Sequence, residues 1–172
     1  MDQAPSRASG PPGRTVDLRS IGPGDRDLLL TWANDPATRA ASFHPAPIDA
    51  ATHDAWFARR LADGTGRTWV GEVDGHPIGQ VRIDLDESGR GEVGISIAPD
   101  ARGRRLARPL LAAGIAAAVA ELGVTGFVAL VRPDNAASIR LFRGAGFRDT
   151  GAGERDGTGC RVLLLEVGAD GR

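Results

Sequence analysis

Residues 92–107 read EVGISIAPDARGRRLA. Val93, Ile95 and Ile97 alternate with Glu92, Gly94 and Ser96, the period of a strand with one apolar face. Pro99-Asp100-Ala101 ends that strand. From Arg104 to Leu122 the pattern is helical and, beyond the first turns, apolar all round (LLAAGIAAAVA, 110–120), which predicts a buried helix. The junction is Arg102-Gly103-Arg104-Arg105-Leu106-Ala107. The first N–H groups of a helix lack internal partners and sit at the positive end of its dipole. A small-residue turn there aims backbone amides into one concavity, a nest for a diphosphate. Arg102, Arg104, Arg105 and Arg108 add positive charge beside it. From these residues alone, a phosphate nest and a solvated basic helix start are equal readings. The segment is not a Walker loop, because the Lys-Ser/Thr pair is missing, and a dinucleotide fingerprint needs three glycines.

Upstream lies a β-meander. Thr68 to Val73 reads as a strand, Asp74-Gly75 is a two-residue hairpin turn that needs positive φ at both positions, and Ile78 to Leu85 alternates. On that strand Val81 and Ile83 face one way, and Gln80, Arg82 and Asp84 the other. Further upstream, Val16 to Ser20 predicts a short strand and Asp25 to Asn34 a helix ended by Asp35-Pro36. A loop through Phe43 and His44 follows, then a helix from an Asp49 N-cap to about Ala62. Downstream, Val124 to Val131 is an apolar strand and Asn135 to Ala145 a short helix ended by Gly146. Phe147 to Thr150 and Arg161 to Val167 read as closing strands. The order predicts a single-domain α/β (α+β) fold with helices on both faces of a mixed sheet. The domain is expected over 15–168, behind a Pro/Gly-rich, disordered lead-in over 1–14.

The chain has 172 residues, 41% of them hydrophobic, with 21 basic and 22 acidic side chains and a net charge of -1. That balance suits a soluble globular protein and gives no general pull toward nucleic acid or membrane. A single cysteine, Cys160, excludes an internal disulfide and a cysteine-rich zinc site. No signal core or bilayer-length stretch is read, so a cytoplasmic protein without membrane or metal is expected.

Val131 to Phe147 reads VRPDNAASIRLFRGAGF. Together with 102–107 it resembles the GNAT superfamily of acetyltransferases. The signature Gln/Arg-x-x-Gly-x-Gly/Ala is similar to Arg102-x-x-Arg105-x-Ala107, with Arg105 in place of the middle glycine. A second signature matches at Asn135, Phe142 and Gly146-Phe147. The resemblance spans about 16–167. It implies a V-shaped mixed sheet whose fourth and fifth strands splay apart around acetyl-CoA, the co-substrate. It implies that backbone groups of Ile95, Ile97 and Ala98 bond the pantetheine, that Arg102, Gly103, Arg104, Arg105, Leu106 and Ala107 hold the pyrophosphate, and that Asn135 and Phe142 touch the cofactor arm. Arg105 is expected to keep negative φ.

The upstream residues Trp32-Ala33-Asn34-Asp35-Pro36, Arg39, Ser42-Phe43, His53, Trp56-Phe57 and Gly79-Gln80-Val81-Arg82 resemble a branch acting on amino groups of nucleotide-linked sugars (pseudaminic-acid-type). They are less similar to acetyltransferases of protein N-termini. Phe43, Gln80 and Arg82 are the acceptor-pocket candidates. Trp32, Trp56 and Phe57 fit core positions, and His44 and His53 surface or structural ones.

An ammonium ion has no lone pair, so an amine must lose a proton before it attacks a thioester, and a carboxylate can take it. Glu92, at the start of the fourth strand, is the candidate base, with Asp84 next door. The family's tyrosine acid falls at Phe142, and the chain contains no Tyr. Ser138 is the substitute acid. The expected function is acetyl transfer from acetyl-CoA to a small-molecule primary amine, first an amino-sugar nucleotide. The alternatives are a protein N-terminal acetyltransferase or a non-catalytic acyl-CoA-binding module. Exposed strands at the sheet's end also suggest a homodimer.

Overall fold

The computed structural model describes residues 15–62, 64 and 66–167. The expected lead-in over 1–14 and the tail from 168 onward lie outside them. Seven strands form one sheet: β1 (Asp17–Ser20), β2 (Gly66–Val73), β3 (His76–Leu85), β4 (Gly91–Ile97), β5 (Gly126–Val131), β6 (Arg148–Arg155) and β7 (Thr158–Glu166). Their order is β1-β2-β3-β4-β5-β7-β6. Five helices accompany them: α1 (Arg26–Ala33), α2 (Pro36–Ala41), α3 (Ala50–Ala62), α4 (Ala107–Leu122) and α5 (Ala136–Gly144).

The one parallel pairing decides the shape. β4 meets β5 only at Gly91↔Phe127 and Glu92↔Val128, so beyond Glu92 the two strands part. Every other pairing is antiparallel. The sheet therefore opens as a V, as the family resemblance implies.

α4 covers the Val81 face. Val81 Cγ2 lies 2.5 Å from where a Cβ on Gly114 would sit, and a Cβ on Gly71 would collide with Leu110. Two glycines thus let helix and sheet approach closely. Leu110 and Leu111 are fully buried there, each contributing about 1.5–3 kcal/mol relative to exposure. The helix is not buried all round, however. Ala112, Ala116 and Ala120 face outward, where methyl groups expose little apolar area. α1 and α3 cover the opposite face, tied together by Arg26–Asp54 (2.5 Å) and tied to β3 by the Arg60–Asp84 pair.

Several boundaries differ from those expected. Asp35-Pro36 ends α1 but also starts α2: Asp35 caps the Thr38 N–H at 2.9 Å, and Pro36 takes the first helical position. α4 begins at Ala107, three residues late, because Gly103 and Arg105 both have positive φ. β6 and β7 extend into a long hairpin through Asp156-Gly157 (φ 49° and 74°), the same turn chemistry as Asp74-Gly75 (52° and 74°).

Asp149 of β6 accepts from Arg161 (2.6 Å) and Arg143 (2.5 Å), and these guanidinium groups hold its carboxyl down at about 2. The unfolded value is about 3.9. A folded pKa below the unfolded one adds stability above about pH 4, which is lost as pH falls toward 2. Asp149→Asn is expected to flatten the stability slope across that window, read by denaturant unfolding at fixed pH steps.

Candidate active site

The opening between β4 and β5 continues into a cavity of about 890 Å³. Its walls come from β3, β4, β5, α1, α2, α3, α5, the Ser42–His44 loop and the β6–β7 hairpin. In an antiparallel ladder, hydrogen-bonded and non-bonded pairs alternate. Ala98 donates its N–H to Ile78 O at 2.9 Å, so Ser96 and Gly94 turn their backbone groups toward β3 as well. Ile95 and Ile97 therefore turn theirs the other way, into the gap. An extended ligand chain would meet two strands' worth of unpaired backbone there. Ala98 is a correction. Its N–H is committed to Ile78, its carbonyl accepts from Ala101 at 2.9 Å, and its side chain is buried.

At the wide end, Arg102 and Ala107 line the cavity, Leu106 is buried beneath it, and Gly103, Arg104 and Arg105 are exposed in the loop. α4's first helical bond runs from the Leu110 N–H to Leu106 O (3.0 Å), and Pro109 has no N–H, so Ala107 and Arg108 carry free helix-start donors. Two details depart from expectation. Arg105 has φ 60°, not negative φ: the loop keeps the left-handed backbone of the family's glycine although the residue is arginine. Arg102 sends its guanidinium across to Asp35 (2.5 Å) and Thr38 Oγ1 (3.0 Å), clamping the loop to the start of α2. That contact holds the Asp35 carboxyl at about 2.

The narrow end is built around Arg155, which sequence reading missed. Arg155 projects from β6, pairs with Glu92 Oε1, and places its guanidinium 5.7 Å from the centre of the Phe43 ring. Next to it, His44 Nε2 and Asp156 Oδ2 are 3.2 Å apart. Arg39 and Arg132 hold the intervening loop from behind, through Ser42 Oγ (3.0 Å) and Ser42 O (3.3 Å). The Phe43–His44 loop is thus joined to the β6–β7 hairpin across the narrow end of the cavity.

Gln80, Arg82 and Glu92 line the cavity from β3 and β4, whereas Asp84 does not. Asp84 is instead bound by Arg60 and lies 2.8 Å from Arg82 Nε, an ion contact too bent to be a hydrogen bond. His53, expected at a surface or structural position, is buried in the cavity wall against Phe57 and Trp56. Trp32 and Phe57 are core, but Trp56 lines the cavity.

From α5, Asn135 Oδ1 caps the Ser138 N–H at 3.1 Å. Asn135, Ser138 and Phe142 all line the cavity. Phe142 is buried edge-on against Phe147 (5.0 Å) and carries no proton to give. Among the described residues no group of three His, Cys, Asp or Glu is placed to hold a metal, and no helix is long and apolar enough to cross a membrane.

The family model of the acetyltransferase (GNAT) domain matches residues 15–148. The chain belongs to the GNAT acetyltransferases. It is an acetyl-CoA-dependent N-acetyltransferase, with acetyl-CoA as co-substrate. An L-methionine sulfoximine/L-methionine sulfone acetyltransferase of Pseudomonas aeruginosa is 30% identical over 166 residues, covering 91% of this chain and 96% of that protein. Among solved structures, a Vibrio cholerae spermidine N-acetyltransferase in complex with CoA and spermine has a TM-score of 0.78 at 19% identity, covering 90% of this chain and 96% of that one. The aminoglycoside acetyltransferase AAC(6')-Ib in complex with coenzyme A has a TM-score of 0.77 at 18% identity, covering 88% and 95%. These two likenesses establish the GNAT fold.

In this GNAT chain the loop geometry belongs to the backbone, and that has a measurable consequence. Arg105→Gly is expected to keep coenzyme A affinity within about threefold, because glycine adopts φ 60° freely. Arg105→Pro locks φ near about −65° and is expected to weaken binding by about tenfold or more, read by titration of coenzyme A.

Proposed function

We propose that this enzyme acetylates the primary amine of a small acceptor that also carries a negative charge, foremost an amino-acid-type molecule whose carboxylate meets Arg82. One observation carries the reading: apart from Arg102 at the wide end, the cavity is lined by Arg39, Arg59, Arg82, Arg132 and Arg155 against only Glu92 and Asp156 among the described residues. The partner carboxylates of Arg82, Arg102 and Arg132, which are Asp84, Asp35 and Asp134, do not line the cavity. Such a lining favours anions and repels polycations. The methionine sulfoximine/sulfone relatives, whose named substrates are amino acids, support the same class.

Glu92 serves as the base. Its Oε1 is engaged by Arg155, so Oε2 takes the ammonium proton. The amine nitrogen then bonds to the thioester carbonyl carbon, the C–S bond breaks, and the thiolate leaves. Outward-facing N–H groups of Ile95 and Ile97 stabilise the oxyanion. Ser138 gives its hydroxyl proton to sulfur and regains one from the nitrogen, which sheds its second proton as the amide forms, so the serine is restored. A thiol with a pKa of about 8.5 needs little help to leave, so Phe142 in place of a tyrosine is tolerable.

An amino-sugar nucleotide is also anionic and remains the second acceptor reading on the same arginines. A protein N-terminus fits less well, because a peptide needs a groove open at both ends and the Phe43–Arg155 and His44–Asp156 contacts bridge this one.

The test is to remove the acceptor's charge. The kcat/KM for an α-amino acid should exceed that for its methyl ester by about 10–100-fold, the worth of a hydrogen-bonded charge contact. Equal values for acid and ester overturn the anion-reading role.

A further inference from the structure

The cavity wall contains polar atoms that the protein itself leaves unpaired. Nδ1 and Nε2 of His53, Oε1 of Gln80 and Oγ of Ser96 are buried without a hydrogen-bond partner. All three residues line the cavity, and His53 is only 3% exposed. Gln80 and Ser96 stand opposite each other across the β3–β4 ladder. His53 reaches the wall from α3, stacked on Phe57 with ring centres 5.9 Å apart and planes 16° from parallel. Buried polar groups without partners cost free energy, and native proteins rarely keep them. An apolar ring at His53 would pack between Trp56 and Phe57 without that cost, so the imidazole calls for a partner from the cavity.

The chemistry of the cluster defines that partner. Burial, and next the charge of Arg26, lower the His53 pKa, so the ring is neutral and offers one donor and one acceptor. Gln80 Oε1 only accepts, and the Ser96 hydroxyl does either. None of the three carries a charge. Arg82 lies two residues along β3 from Gln80 on the same face, about 7 Å away at strand spacing.

We propose that His53, Gln80 and Ser96 form a neutral hydrogen-bonding subsite for an uncharged group with both an N–H donor and an oxygen acceptor, such as a carboxamide or sulfoximine, at the side-chain end of the acceptor. The inference rests on the amino-acid reading above, with Arg82 holding the carboxylate.

The experiment compares L-glutamine with its hydrocarbon isostere L-homoleucine by thiol release from acetyl-CoA, in wild type, His53→Phe and Gln80→Leu. A site built to hydrogen-bond rejects an analogue that lacks the group. Wild type should favour glutamine in kcat/KM by about 100-fold or more, and each variant should bring that ratio below about tenfold. Coenzyme A titration of each variant reports that it has folded, and two variants guard against the loss of one. A wild-type ratio near one, or a ratio unchanged in both variants, overturns the subsite alone. No release with either acceptor overturns the amino-acid reading and the subsite with it.

Discussion

Glu92→Gln is expected to lower kcat by about 10²–10⁴-fold, the worth of a positioned general base, while KM for acetyl-CoA changes little. Glutamine keeps the shape and can still accept from Arg155, so the fold and the β4–β6 link should persist. Only the carboxylate, and with it the proposed capacity to take the amine's proton, is removed. The loss should shrink at high pH, where more of the acceptor is already free amine. Steady-state rates across pH with saturating acetyl-CoA give this directly. Full rate at every pH would remove Glu92 from the chemistry.

Arg155→Leu should give the opposite split. Arg155 holds Glu92, lies over Phe43 and closes the narrow end of the cavity from the hairpin. Its loss leaves a half-buried carboxylate without its cation and unfastens the acceptor end. A hydrogen bond to a charged group is worth about 1.5–3 kcal/mol, so KM for the acceptor should rise by about 10–150-fold. Acetyl-CoA affinity should stay within about twofold, because the gap between β4 and β5 does not depend on Arg155. The two residues touch, so the double variant Glu92→Gln/Arg155→Leu should cost less than the product of the single effects. Strict additivity would mean that the pair does not act as a unit.

The outline of the fold was legible because local rules carried it. Alternation marked β3 and β4, Asp74-Gly75 marked the β2–β3 hairpin, Asp49 and Asn135 capped helices as expected, and Gly123 closes α4 in the left-handed region. The misses have physical causes. α2 is short and buries no residue, and Asp35-Pro36 reads as a stop although it is also a start. β6 (RDTGAGER) has no apolar face to alternate and is held by pairing with β7, a tertiary effect.

At the site, β4, Glu92 and the loop to α4 were readable as one contiguous segment. Arg155 was not, because 63 residues separate it from Glu92 and only the sheet order brings them together. Arg102 was placed at the pyrophosphate from its position alone. The structure gives its side chain to Asp35 and Thr38, on a helix that sequence reading did not see. His53 reads as a surface or structural residue. Its missing hydrogen-bond partners become visible only in three dimensions.

The most direct test of the central claim is thiol release from acetyl-CoA by the wild-type enzyme with α-amino acids and with spermidine as acceptors. The arginine-lined cavity predicts turnover of amino acids with kcat/KM at least about tenfold above that for the polyamine, a difference of about 1.4 kcal/mol. Preference for spermidine, or tight acetyl-CoA binding with no release for any amine, would contradict it.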